Sequence, residues 1–152
     1  CGGILDVRLS GAAAAVDAAI ARLGGERIAD ELAAARWSGL REHSDAFFAP
    51  GQSPSPLWRL SLPSDALAVE LDGAQLVEWG GAQRWLRSHL APERLRAQVA
   101  ALGGHATLFR DGARDGAVFH PLTPSMLALQ RNLKNAFDPA GIFNPGRLYE
   151  GI

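Results

Sequence analysis

Apolar residues recur along this chain with two periods, and the switches between them mark its elements. Leu5, Val7 and Leu9 alternate with Asp6 and Arg8, which predicts a strand over Ile4 to Leu9. Ser10 is placed to cap the next helix, where Val16, Ile20 and Leu23 fall at i, i+4, i+7 before the stop at Gly24-Gly25. A second helical stretch, Glu26 to Phe47, carries Ile28, Leu32 and Leu40 and is interrupted by Ser38-Gly39. Gly51 to Pro56 has loop composition.

From Leu57 the period becomes two. Trp58, Leu60 and Leu62 share one face of a predicted strand, with Arg59 and Ser61 on the other. Leu76 to Arg87 is again strand-like, with Gly80-Gly81 at its middle. The glycines suit either a tight hairpin turn or a bulge within one long strand, and the bulge is preferred because it gives the simpler sheet. Pro92 opens a helix at the position where a missing N–H costs nothing, and Leu95, Val99 and Leu102 form its stripe before Gly103-Gly104. His105 to Arg110 is the next predicted strand. Thr123 as cap, Pro124 as first residue and the stripe Met126, Leu129, Leu133, Phe137 predict a final helix.

The order strand-helix(-helix)-strand-strand-helix-strand is that of the split βαβ pattern. The expected class is therefore α+β: a ferredoxin-like antiparallel sheet covered by helices, plus an extra C-terminal helix and a rigid tail. Residues 1–122 are expected to form the core and 123–152 the final helix and tail of the same single domain. At 152 residues, one domain would bury about 70% of its extended surface.

The tail is the most informative stretch. In Asp138-Pro139-Ala140-Gly141 the residue types suit a type I turn, and in Asn144-Pro145-Gly146-Arg147 they suit a type II turn with Gly at the position needing positive φ. Two stiff turns in succession would hold the Asn144 amide and the Arg147 guanidinium in fixed positions.

Charge and composition remove several functions. Lys+Arg 15 against Asp+Glu 16 leaves a net charge of -1, so there is no electrostatic footprint for nucleic acid. No apolar run is long enough for a membrane span. The lone Cys1 permits no internal disulfide or CxxC site and suits a reducing cytoplasm. The Gly-Gly pairs never form GxGxxG or GxxxxGK[ST], His43, His89, His105 and His120 show no metal-ligand spacing, and GxSxG is missing. Without a basic field, Trp37, Trp58, Trp79 and Trp85 are read as core or interface residues and not as a base-stacking platform. Arg41, Arg84, Arg87, Arg110 and Arg147 include candidate carboxylate clamps, since a guanidinium presents parallel donors to two oxygens. The start at Cys1-Gly2-Gly3, without an initiator Met, is expected of a segment of a longer polypeptide.

Four segments carry a resemblance: Leu57-Trp58-Arg59-Leu60-Ser61, then EWGGAQRW from Glu78, then GGHATLFR from Gly103, then the tail from Leu133 to Tyr149. In that order they resemble the C-terminal region of the glycolate oxidase FAD-binding (E) subunit, across nearly the whole chain. The tail pattern DPxGxFNPGR is shared more widely, among FAD-linked oxidases of the vanillyl-alcohol oxidase and D-lactate dehydrogenase superfamily. The resemblance implies the cap domain of an FAD-dependent 2-hydroxy-acid oxidoreductase, converting glycolate to glyoxylate and inactive without its N-terminal FAD domain. It also implies Asn144, Gly146 and Arg147 near the cofactor or the domain seam, whereas the HxH metal site of related 2-hydroxy-acid dehydrogenases has no counterpart in this sequence, so no metal is expected. The implied partners are the FAD domain, a second flavin subunit and an iron-sulfur subunit, in a cytoplasmic complex peripheral to the inner membrane. A non-catalytic subunit-assembly module of the same complex is the alternative.

Overall fold

The computed structural model describes residues 3–49, 51, 55–68, 70–113 and 118–152. Cys1 and the middle of the Gly51–Pro56 loop lie outside them. The chain divides into two compact units, Cys1–Ala49 and Pro50–Ile152.

The first unit holds α1 (Ala13–Leu23) and α2 (Asp30–Arg41). Helix α1 ends as its sequence predicts, on Gly24 with φ 67, whose N–H donates to Ile20 O at 3.0 Å. Its start differs from expectation: Ala12 is the N-cap and makes no side-chain cap bond, so Ser10 does not cap it. Helix α2 runs through Ser38-Gly39 and ends at Arg41, and the chain then folds back so that Ser44 and Asp45 N–H both donate to Gly39 O. Asp30 and Glu31 in the first turn of α2 and Arg41 in its last complement the helix dipole. After the helix, the His43 and Phe48 rings stack at 4.3 Å.

Ile4 to Leu9 forms no strand. A strand exists only when a neighbour takes its backbone hydrogen bonds, and every ladder among the described residues lies between residues 57 and 110. Ile4 and Leu5 are instead exposed, and Asp6 pairs with Arg36 of α2 at 2.6 Å.

The second unit contains β1 (Leu57–Ser61), β2 (Ala74–Glu78), β3 (Gln83–Arg87), α3 (Pro92–Ala101), β4 (His105–Arg110) and α4 (Pro124–Phe137). The four strands form one sheet in the order β2-β3-β1-β4, antiparallel throughout. The class is thus α+β with an antiparallel sheet and helices. Trp58, Leu60 and Leu62 face α3 as the alternation requires, and with Leu71, Leu86, Leu95, Val99, Ala106 and Leu108 they make the core. The connection from β3 to β4 is helical, through α3. The connection from β1 to β2, residues 62–73, contains no helix among its described residues.

At Gly80-Gly81 the structure has a hairpin and not the expected bulge. Glu78 pairs with Gln83, and between them Ala82 N–H donates to Trp79 O at 3.2 Å across Gly80 (φ 60, ψ 29) and Gly81 (φ 98), both at positive φ. This primed geometry matches the right-handed twist of the flanking strands, which favours closing a tight turn over extending one strand.

Helix α3 ends in a Schellman motif: Gly103 N–H donates to Ala100 O at 2.9 Å and Gly104 N–H to Val99 O at 3.0 Å. Gly104 also lies against β1. A Cβ there would sit 2.4 Å from Ser61 O and 2.5 Å from Leu62 Cδ2. No helix among the described residues is long and apolar enough to cross a membrane.

Candidate functional site

Helix α4 delivers the tail. Its Thr123 hydroxyl accepts from Met126 N–H at 3.3 Å and Pro124 occupies the first turn, as the sequence predicts. The expected apolar stripe forms, but α4 buries none of its residues: Met126, Leu129, Leu133 and Phe137 are all exposed, Phe137 at 82%. Ile142, Phe143 and Leu148 extend this exposed apolar surface into the tail.

One carboxylate organises the chain beyond the helix. Asp138, buried at the end of α4, pairs with Lys134 at 2.6 Å and accepts the N–H groups of Ile142 at 3.1 Å and Phe143 at 2.9 Å. Lys134 also donates to Phe143 O. The hydrogen bond from Lys134 is the largest influence holding the Asp138 carboxyl below its usual range, and that from Phe143 is the second. Turn chemistry alone marks Asp138 only as the first residue of a turn. Its spacing of four from Lys134, the single lysine of the chain, is the signal that points to the ion pair.

Both turns have the predicted hydrogen bonds. Gly141 N–H donates to Asp138 O at 3.0 Å, and Arg147 N–H donates to Asn144 O at 3.2 Å across Pro145 and Gly146. Gly146 has φ 69, as the third position of a type II turn requires. Its N–H reaches Ile152 O at 2.6 Å, which ties the end of the chain to the turn. Asn144, Gly146 and Arg147 are therefore brought together in one turn, and all three are exposed. Among the described residues no hydrogen bond or ion pair holds the Arg147 guanidinium. Tyr149 returns toward the sheet, its ring 6.0 Å from that of Phe119.

The other candidate arginines are engaged in the fold. Arg84, 6% exposed, donates from Nε to Gly81 O, from Nη1 to Leu67 O and from Nη2 to Ala66 O, which fastens the 62–73 connection to β3. Arg87 binds Ser55 O and Asp111, Arg110 lies over Phe109, and Arg41 pairs with the adjacent Glu42. Trp58 and Trp85 are buried, whereas Trp79 is 76% exposed at the hairpin tip. No group of three or more His, Cys, Asp or Glu able to hold a metal ion occurs among the described residues.

The segment that builds this tail is also the segment that a known family matches. The family described as FAD linked oxidases, C-terminal domain, matches residues 119–148, from just before α4 to the end of the second turn. The glycolate oxidase subunit GlcE of Escherichia coli is 43% identical over 143 residues, which cover 94% of this chain. This chain belongs to the FAD-linked oxidases, as their C-terminal domain. It spans 38% of the length of that relative. No solved structure matches. The sheet, α4 and the stapled tail are the physical form of this domain.

Proposed function

We propose that this chain is the substrate-side cap of an FAD-dependent 2-hydroxy-acid oxidoreductase that oxidises glycolate to glyoxylate. The observation that carries this reading is the exposed surface of α4 and the tail. Four stripe residues of a well-formed amphipathic helix, with Ile142, Phe143 and Leu148, remain in water next to a pre-organised turn. Apolar surface of this extent on one side of an element is what a domain presents to a covering partner.

In this reading the partner is an FAD-binding domain N-terminal to the present residues, and the cofactor is held mainly by that domain. The described residues fit an edge contact to FAD and not a complete site: they offer the exposed Asn144 amide and Arg147 guanidinium, suited to carbonyl or phosphate oxygens. The flavin supplies the redox chemistry when bound. This chain supplies orientation and exclusion of water, and Gly146 allows the turn backbone a close approach that a side chain would obstruct. A second flavin subunit and an iron-sulfur subunit are the further partners, in a cytoplasmic complex peripheral to the inner membrane.

The decisive experiment has two parts. The present chain mixed with glycolate, FAD and an artificial electron acceptor should give no turnover, and turnover would overturn the reading. In the protein that includes the FAD domain, Asn144→Ala and Arg147→Ala should perturb the flavin spectrum or turnover. If both variants change only complex assembly, the chain is a non-catalytic assembly module. Exposed Trp79 is the observation that favours this second reading.

A further inference from the structure

The outer edge of β4 is closed by an unusual pair of bonds. An edge strand presents unpaired N–H groups that invite pairing with other chains. In β4 two of these groups are taken by the segment that returns after the strand: Leu108 N–H donates to Val118 O at 2.9 Å, and Ala106 N–H donates to His120 Nδ1 at 3.3 Å. The first bond is of the ordinary backbone kind. The second depends on the protonation state of an imidazole.

A backbone N–H can only donate, so Nδ1 of His120 must carry its lone pair and the ring proton must sit on Nε2. A doubly protonated imidazole has an N–H at both nitrogens and cannot accept this bond. The charged and titratable groups turned toward His120 come from the two elements beside it. On α3, Arg96 donates from Nη2 to Val118 O at 3.3 Å, with Glu93 partly balancing its charge. On β4, the His105 ring lies 6.5 Å from the His120 ring. Burial, then Arg96, then His105 all push the His120 pKa below its ordinary value.

We propose that His120 is a proton-operated latch: protonation of its imidazole releases residue 120 from the edge of β4, while Val118 stays bonded, and frees Ala106 N–H as a strand-pairing position. The folded protein favours the neutral ring, so the latch is closed above about pH 6.5 and opens as pH falls through the lowered folded value. Release also reaches the tail, because Phe119, next to His120, holds the ring contact with Tyr149. The latch belongs to the sheet edge and is independent of the flavin reading.

The test is amide hydrogen exchange in the full chain at about pH 7.5 and about pH 5, corrected for intrinsic rates, which brackets the histidine range. Ala106 protection should fall about tenfold at the lower pH, the scale of one lost hydrogen bond, while Val99 and Leu86 in the core keep theirs. His120→Asn supplies a carboxamide oxygen that accepts without titrating, and it should give equal Ala106 protection at both values. Constant Ala106 protection in the unaltered chain would overturn the proposal, and so would an equal loss in His120→Asn. A 15N spectrum placing the proton of the neutral ring on Nδ1 would overturn it without any variant.

Discussion

Lys134 Nζ lies 2.6 Å from Asp138 Oδ2, one helical turn away, and the same carboxylate accepts the N–H groups of Ile142 and Phe143. This relationship turns the end of α4 into a clamp. The lysine neutralises the carboxylate, and the carboxylate replaces the helical partners that the chain loses where α4 stops.

The clamp should be sensitive to acid. The folded-state pKa of Asp138 is lowered, so its contribution is fully present above the unfolded carboxylate value near about 4. It is lost as pH falls through the lower folded value. Amide exchange at Ile142 and Phe143, corrected for intrinsic rates, should therefore accelerate only in that acid range. Asp138→Asn should show the faster exchange already at neutral pH, because a neutral amide loses the lysine and one carboxylate oxygen. Unchanged exchange at both amides in the variant would contradict the clamp.

Two glycines should differ in their tolerance of a side chain. In Gly104→Ala the new Cβ meets a backbone oxygen, Ser61 O at 2.4 Å, which cannot move without displacing β1. We expect a loss of about 1–3 kcal/mol, the usual range for overpacking, read as a lower unfolding midpoint in urea. Gly80→Asn is the contrast: its φ of 60 and ψ of 29 are tolerated by Asn, and nothing lies within 4 Å of the Cβ. Its effect should stay within about 0.5 kcal/mol.

Arg84 is expected to matter for stability and not for substrate. Its three donors serve three carbonyl oxygens of residues 66, 67 and 81. Arg84→Met keeps the stem and removes the donors, and should cost on the order of 2–3 kcal/mol. Arg84→Lys should recover only part of it, since an ammonium lacks the planar fork that reaches separate acceptors. Full recovery by lysine in urea unfolding would show that charge alone is needed.

Local chemistry is legible in the sequence. The cap at Thr123, the stops at Gly24 and Gly103-Gly104, and both tail turns come from side-chain donors, ring closure and positive φ, and each has its expected bond. Non-local pairing is not legible. The alternation of Leu5, Val7 and Leu9 equals that of Trp58, Leu60 and Leu62, yet only the second finds neighbours. The pattern predicts four strands and four form, but the hairpin at Gly80-Gly81 supplies the one that Ile4 to Leu9 does not. At the site, the turn around Asn144, Gly146 and Arg147 is visible in the motif. The Asp138 clamp and the His120 bond are not, because they join groups whose proximity comes from the fold.

Trp79 places a large aromatic ring, 76% exposed, on a left-handed backbone at the hairpin tip. Glycine adopts that conformation freely, whereas a bulky residue is strained there. Trp79→Gly should therefore stabilise this chain, or leave it unchanged, by up to about 1 kcal/mol in urea unfolding, since the released strain is offset by glycine's greater unfolded-state freedom. If the ring is an anchor for another subunit, the same variant should weaken assembly of the complex by tenfold or more, on the order of 2 kcal/mol for a lost aromatic hot spot. Size-exclusion chromatography of the complex, run beside the unfolding measurement, separates the two effects. A destabilised chain would mean that the ring supports the hairpin itself, and unchanged assembly would remove Trp79 from the interface.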